Sequence, residues 1–439
     1  MLTGPQFEEE VRRLARAIWG LKQGEGTQEF LGGEEIDCVC RTEDVIHLVE
    51  CTTLRTLQKV KDDCQSLKKA KEYLEKKGET VKPWIVTLDE PTADQRTWAR
   101  NHKINLLSIE QFRSRLFKAS DYLNARWRYR FGSAMDLDSG SWTLKDDEYF
   151  PIPLRNPKTG DHFSVVSLVE FMLSRNAIIV LVGPFGAGKS LTIREIFREV
   201  KRRYFKDSQC PVPLAINLGD HVGQEEVSEA LSRHASKVGF EARAELVRAW
   251  NSGLLLPLLD GFDELPFQGW RIATSMRQTR KDALKLVRQL MKEHQGKGGL
   301  LVSGRDHYFD SPAEMESALG LPKGYITVEV GEFTEEQAQR YLARKSIVLP
   351  LPAWLPRKPL LLGYLASKGL LKEVVSIDGA KGPAFAWDVF LQKICDREAT
   401  LSKDIDGDSV RQLLEVLASK ARTKLQGNGP LFESDLSAA

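Results

Sequence analysis

The stretch "AIIVLVGPFGAGKS", residues 177–190, restricts the fold of this chain more than any other. Its continuous apolar run reads as a strand buried on both faces. The run enters a Gly-rich loop, and "LTIREIF" then opens a helix. A strand that ends in Gly183, Gly186, Gly188, Lys189 and Ser190 has a defined chemistry. Loop N–H groups curl around phosphate oxygens, and the helix N-terminus adds partial positive charge. Lys189 reaches the β and γ phosphates, and the Ser190 hydroxyl ligates magnesium. The cofactors expected are ATP or ADP and Mg2+.

Two further stretches complete such a site. In "GLLLPLLDGFDEL", Asp260 ends a buried strand, where it holds magnesium through its water shell. Asp263 and Glu264 follow, and either can orient the attacking water as general base. In "GLLVSGRDHYF" the strand ends at Ser303, and Arg305 projects beyond it as a cation for the γ phosphate. The strands "VPLAINL" and "YITVEV" continue the pattern, with helices such as "EEVSEALSRHASKVG" between them. This alternation predicts a parallel sheet covered on both faces. After about residue 332 the pattern is mostly helical.

These segments, followed by "VEVGEFTEEQAQRYL" and "RKPLLLGYLA", resemble the NACHT clade of STAND NTPases over roughly residues 151–439. The resemblance implies a P-loop NTPase domain over 151–332, a helical domain over 333–372 and the start of a winged-helix domain over 373–439. It implies that Pro359 lies near the bound nucleotide. It also implies a switch by ADP–ATP exchange, homo-oligomerisation on activation, and a trigger sensed through a C-terminal region. The closing "FESDLSAA" reads as the opening turn of another helix, so the chain is expected to continue.

Residues 1–118 alternate helix, strands, helix, strand and helix, an α/β unit of its own. Within it, "GGEEIDCVCRTEDVIHLVECTT" reads as a hairpin. A two-residue loop at Glu43-Asp44, the commonest kind, pairs Thr42 with Val45 and sets Asp37 opposite Glu50. A three-residue loop puts them on opposite faces. In the first register Asp37, Glu50 and Thr52 share one face, expected to be a cleft. Ile36, Cys38, Cys40, Val49 and Cys51 share the other, expected to be the core side. Opposed Cβ atoms lie roughly 4.5–5.5 Å apart, close enough for two carboxylates to bracket one divalent cation.

"FEEEV", "IDCVC" and "HLVECTT", followed by a long helix, resemble the Mrr-like branch of the PD-(D/E)xK nucleases over about residues 4–115. The resemblance implies a restriction-endonuclease-like domain that cleaves double-stranded DNA. Asp37 and Glu50 would hold Mg2+, with Glu8 as an accessory carboxylate. Thr52 stands where such enzymes carry a lysine. Lys59, Lys61 and Lys68, on the next helix, are the candidates to replace it.

Composition narrows the rest. The chain has 439 residues, 28% of them charged, and a net charge of +2, so charge neither demands nor excludes nucleic acid. No apolar run reaches the roughly 18 residues that span a bilayer. The six cysteines are scattered, and the C-x-C spacing of Cys38 and Cys40 is not that of a zinc site. Cys38, Cys40 and Cys51 are expected to be buried structural thiols, and the protein a cytoplasmic one. Residues 119–150 read as an irregular linker. Its "RWRYRF" alternates basic and aromatic residues, a pattern that stacks on nucleic acid or, as preferred here, packs on a neighbouring domain. The combined expectation is an antiviral NTPase whose nucleotide state gates a DNA endonuclease, triggered by a phage or other foreign component. A signalling scaffold with a catalytically dead first domain and an NTP-driven DNA translocase are the alternatives.

Overall fold

The computed structural model describes residues 3–134, 141, 149–207, 209–265, 276–294, 298–376, 383–399 and 406–423. Packing divides these into two units, the boundary falling between Gly331 and Glu332.

The first unit opens with α1 (Gly4–Trp19), β1 (Thr27–Leu31), β2 (Glu34–Arg41), β3 (Ile46–Thr52), α2 (Leu57–Glu75), β4 (Val81–Thr87), α3 (Ala93–Asn101), β5 (Asn105–Ser108) and α4 (Ile109–Ser114). Its strands form a five-stranded sheet in the order β1-β2-β3-β4-β5. The β1–β2 and β2–β3 pairs are antiparallel, and the β3–β4 and β4–β5 pairs are parallel. The β2–β3 turn has two residues, closed by Thr42 N donating to Val45 O at 3.0 Å. Val39 pairs with Leu48 and Cys40 with His47, the register that sets Asp37 across from Glu50.

The expectation of an open carboxylate face does not hold. Apolar residues of α2, among them Val60, Cys64 and Leu67, pack on Val39, Ile46 and Leu48, which share the face of Asp37 and Glu50. On the other face Trp19 of α1 stacks on His47, with ring centroids 4.0 Å apart. Cys38 and Cys40 abut Gly26 there. The physical reason is the parallel half of the sheet: its β3–β4 crossover must carry a helix across one face. The carboxylates therefore lie beneath the first turns of α2.

The unit continues through α5 (Ala119–Arg128), β6 (Leu154–Arg155), β7 (His162–Phe163), α6 (Val165–Arg175), β8 (Ile178–Val182), α7 (Lys189–Lys206), β9 (Val212–Asn217), α8 (Val227–Val238), α9 (Arg243–Asn251), β10 (Leu255–Asp260), α10 (Met276–Ala283), α11 (Lys285–Glu293), β11 (Leu300–Gly304), α12 (Pro312–Leu319) and β12 (Ile326–Val330). A seven-stranded sheet has the order β7-β6-β12-β8-β11-β10-β9. From β12 to β9 every pair is parallel, and β6 and β7 add an antiparallel edge.

The segment expected to be an irregular linker begins with the helix α5. Its ten residues bury Tyr122, Leu123 and Arg126, too short a stretch to show a sustained period. The aromatics of "RWRYRF" pack inward. Trp127 stacks on Phe197 of α7 at 6.2 Å, and Phe131 meets the same ring edge-on at 5.6 Å. Residues 135–140 and 142–148 of the expected linker lie outside the described residues.

The second unit is helical among its described residues: α13 (Glu335–Arg344), α14 (Pro359–Ser367), α15 (Leu371–Ser376), α16 (Pro383–Ala399) and α17 (Gly407–Arg422). Leu355, Leu362, Leu365 and Phe390 are buried. Pro359 opens α14, where its missing N–H costs no helix hydrogen bond. The closing "FESDLSAA" lies outside the described residues. Among the described residues no helix is long and apolar enough to cross a membrane.

Candidate functional site

The parallel sheet brings its four motif-bearing strand ends to one edge. Register pairs Val182 with Gly304, and Asp260 with Asn217. The Gly-rich loop leaves β8, and α7 begins at Lys189. Gly188, at φ +98°, takes a left-handed turn that other residues enter at a cost, and this turns the loop into the helix. Lys189 Nζ donates to Gly183 O at 2.7 Å and Pro184 O at 3.1 Å, so the ammonium spans the loop that would receive phosphates. Burial lowers its pKa, against the pull of Asp263 and Asp260.

Asp260 is 4% exposed. Its Oδ1 accepts from Ser303 Oγ at 2.6 Å. Its Oδ2 has no hydrogen-bond partner among the described residues. Burial raises its pKa, while the Ser303 and Ser190 hydroxyls and Lys189 act the other way. A buried carboxylate oxygen without a partner is costly unless a ligand completes it. With Ser190 beside it, this donor set fits a divalent cation.

The other expected residues fall into distinct roles. Arg305 Nε contacts Asp263 Oδ2 at 2.9 Å, and Asp263 Oδ1 accepts from Arg305 N at 3.2 Å. The arginine and one candidate base are thus paired to each other. Glu264 is exposed along its flank, but its carboxyl folds back against Gly219 and Gly261. Burial of that carboxyl, with Asp260 and Asp263 nearby, pushes its pKa up to about 7.

Sequence reasoning missed the segment that follows α5. Gly132, at φ +50°, lies against the cation position: a Cβ built on it would overlap both Asp260 Oδ2 and Ser190 Oγ. Asn217 Oδ1 accepts from Gly132 N at 2.9 Å. Arg126 is 1% exposed. Its donors reach Ala215 O at 2.6 Å, Asn217 Oδ1 at 3.3 Å, and Tyr129 O and Arg130 O at 3.3 and 3.2 Å. No sequence signal links these residues, because their partners lie about 90 residues away.

In the N-terminal sheet, Asp37 Oδ2 accepts from Cys51 N at 2.7 Å. Glu50 is 5% exposed. Burial pushes its pKa up to about 10, helped by the carboxylates of Asp37 and Asp63. Asp63, which sequence reasoning missed, is 3% exposed and carries a partnerless Oδ2 among the described residues. Burial pushes its pKa up to about 6, against its pairing with Lys59. The signal was available: Asp63 falls on the apolar stripe of α2, three residues after Val60 and four before Leu67.

The three candidate lysines separate. Lys59 Nζ meets Asp63 Oδ1 at 2.6 Å, and the charges of Glu50 and Asp37 help raise its pKa. Lys61 lies over the Trp98 ring at 4.5 Å, and Lys68 faces Glu72 at 4.0 Å. Glu8 pairs with Arg12 at 3.1 Å, and Arg12 Nε donates to Asp37 O at 2.9 Å. Thr52 is 3% exposed, and its Oγ accepts from Leu54 N at 3.1 Å. It thus shapes the turn after β3, a local use of the hydroxyl. A cleft of about 380 Å3 adjoins it, lined by Thr52, Arg55, Thr87, Asp89 and Gln95. Among the described residues no group of three or more His, Cys, Asp or Glu side chains forms a ready-made metal cage. The partnerless Asp63 oxygen and the acid-rich surroundings of Glu50 nevertheless fit a divalent cation that completes its shell with water and backbone oxygen.

Residues 177–347 match the family model of the NACHT domain. The match begins at the residue before β8 and runs past α13, so it contains the Gly-rich loop, Asp260 and Arg305. It supports a NACHT-type, nucleotide-dependent NTPase, a hydrolase. None of the curated proteins compared with the chain matches it.

Proposed function

We propose, from the premise of a NACHT-type NTPase, that this chain uses its nucleotide state to control a metal-dependent DNA endonuclease in its N-terminal sheet. The observation that carries the nuclease reading is the cluster of buried Glu50 and Asp63 with half-buried Asp37 and Lys59 beneath the start of α2. The order α1-β1-β2-β3-α2-β4 around it supports the resemblance to restriction endonucleases.

In this reading Asp37 and Glu50 hold Mg2+, which lowers the pKa of a bound water and offsets charge on the scissile phosphate. Lys59 takes the place that Thr52 leaves vacant and stabilises the developing oxyanion. Asp63 positions it through the 2.6 Å ion pair. Arg12 braces the Asp37 backbone and leaves Glu8 an accessory part.

At the NTPase edge, Lys189 and the Gly-rich loop bind the phosphates, and Ser190 and Asp260 flank the Mg2+. Arg305 is released from Asp263 to meet the γ phosphate, freeing Asp263 to orient water. Glu264, with a pKa near neutrality, is the alternative base. Pro359 contributes to nucleotide binding, as the NACHT resemblance implies. The partners proposed are double-stranded DNA, further copies of this chain on activation and a foreign trigger. The setting proposed is antiviral defence in the cytoplasm.

The test is plasmid integrity with Mg2+, ATP and candidate triggers. An Asp37→Ala, Glu50→Ala double variant is expected to lose cleavage by at least about 1,000-fold, since the cation contributes several kcal/mol to the transition state. Unchanged DNA degradation by that variant sinks the nuclease assignment. A second reading, a scaffold with a catalytically dead first domain, is favoured by one observation: Thr52 is spent on a turn. It predicts no cation binding at Glu50 by calorimetry.

A further inference from the structure

We infer that residues 129–132 form a strap that closes the cation position of the nucleotide site, and that Mg2+–nucleotide binding must lift it. The inference rests on reading the Gly-rich loop site as a Mg2+–nucleotide site, and it adds the regulation of that site.

The strap packs against the two groups that would flank the cation. Gly132 has no room for a Cβ, because Asp260 Oδ2 and Ser190 Oγ already touch the space one would fill. Magnesium takes oxygen ligands at about 2.1 Å in near-ideal octahedral geometry. A main-chain segment packed against both oxygens fills the volume which that coordination shell needs. The seated strap and the bound cation are therefore mutually exclusive.

The seat is built rather than incidental. Gly132 N donates to Asn217 Oδ1 at 2.9 Å, and Gly132 O accepts from Arg130 Nη1 at 2.9 Å. Arg130 Nη2 also meets Asp220 Oδ1 at 2.5 Å, and Lys237 contacts the same oxygen at 3.1 Å. Behind them the Arg126 guanidinium lies over the Phe131 ring at 3.9 Å. The strap leaves α5 directly, and α5 is anchored by Tyr122 Oη to His234 Nε2 at 3.0 Å. It leads back within one chain to the sheet that carries Glu50.

When only the lifted state accepts the cation, the apparent affinity falls by the fraction of molecules lifted. Nucleotide without metal does not need the cation position and escapes this penalty. The experiment measures binding of a fluorescent ATP analogue to the full chain, once with Mg2+ and once with EDTA. Gly132→Ala adds the Cβ that the seat excludes. It is expected to tighten Mg2+-dependent binding about tenfold and to change binding in EDTA by less than about twofold. A second arm uses the wild-type chain alone: Mg2+ with the analogue is expected to make Arg130, held by Gly132 O and Asp220 in the seated strap, cleavable by trypsin, and the analogue in EDTA is not. Weaker Mg2+-dependent binding by Gly132→Ala, an equal shift in both conditions, or trypsin cleavage insensitive to Mg2+ overturns the strap. If the wild-type chain binds no nucleotide and Lys189→Ala changes nothing, the reading of the site itself falls and takes the strap with it.

Discussion

Asp260 and Glu50 both lie buried near the ends of inner strands, and their surroundings are opposite. Asp260 is met by neutral hydroxyls and a lysine: Ser303 holds one oxygen at 2.6 Å, and Ser190 and Lys189 act on the carboxylate. Glu50 is met by more acid, Asp37 and Asp63, with Lys59 as the cation acting on it. The first shell suits a cation that arrives already bound to phosphates. The second carries surplus negative charge, which a bare divalent ion from solvent would neutralise. The contrast teaches that one motif type, a carboxylate near a strand end, takes its chemistry from what the neighbouring elements present to it.

The largest expected effect separates the two sites outright. Asp260→Asn is expected to cut NTP turnover about 100- to 1,000-fold, while Glu50→Gln leaves it unchanged. Steady-state turnover of both variants checks this, and equal losses would dissolve the distinction. Next comes the lysine that serves Glu50. Lys59→Ala is expected to reduce DNA cleavage about 100-fold, and Lys61→Ala, whose side chain lies over Trp98, to stay within about twofold of the parent chain. Gel-based cleavage rates decide it.

A smaller effect tests how firmly the segment after α5 is held on β9. Arg126→Ala removes the buried side-chain donor of Ala215 O and Tyr129 O, while Asn217 Oδ1 keeps Gly132 N and Arg130 O keeps Asn217 Nδ2. It is expected to cost about 2–3 kcal/mol of stability, seen as a lower melting temperature. The last concerns pH. Folding raises the Glu50 pKa from 4.5 to about 10, so the folded state holds this proton more tightly than the unfolded one. The stability it contributes is fully present below about pH 4.5 and declines as pH rises through about 10. Glu50→Gln is therefore expected to stabilise the metal-free chain at neutral pH by up to about 3 kcal/mol and to flatten this decline. Denaturant titrations at several pH values measure both.

Much of the NTPase edge was legible because its residues are contiguous. Gly183 to Gly188 form one loop and Lys189 and Ser190 open the helix after it, a spacing written in the chain. The hairpin register was legible for the same reason: a two-residue turn sets the pairing of every residue beyond it. The face that the hairpin presents was misjudged, since alternation alone does not say that helices cover both sides. The choice among Lys59, Lys61 and Lys68 was not legible either. It depends on which side of α2 turns toward the sheet, and Asp63 on the apolar stripe was the overlooked marker. The docking of α5 was hidden because a ten-residue helix shows too little period against an irregular flank.

By itself, the sequence determined the Gly-rich loop and the acid at the end of β10, which follow from short-range spacing and strand geometry, and it offered the pairing of Asp37 with Glu50 as the register of the commonest loop length. Only the tertiary structure decided that Gly132 would lie against Ser190 and Asp260, that Ser303 would hold Asp260, and that Lys59 would be the lysine beside Glu50. These are contacts between elements distant in the chain. Their geometry is set when helices and strands pack to close density, and no local spacing encodes which side chains then meet.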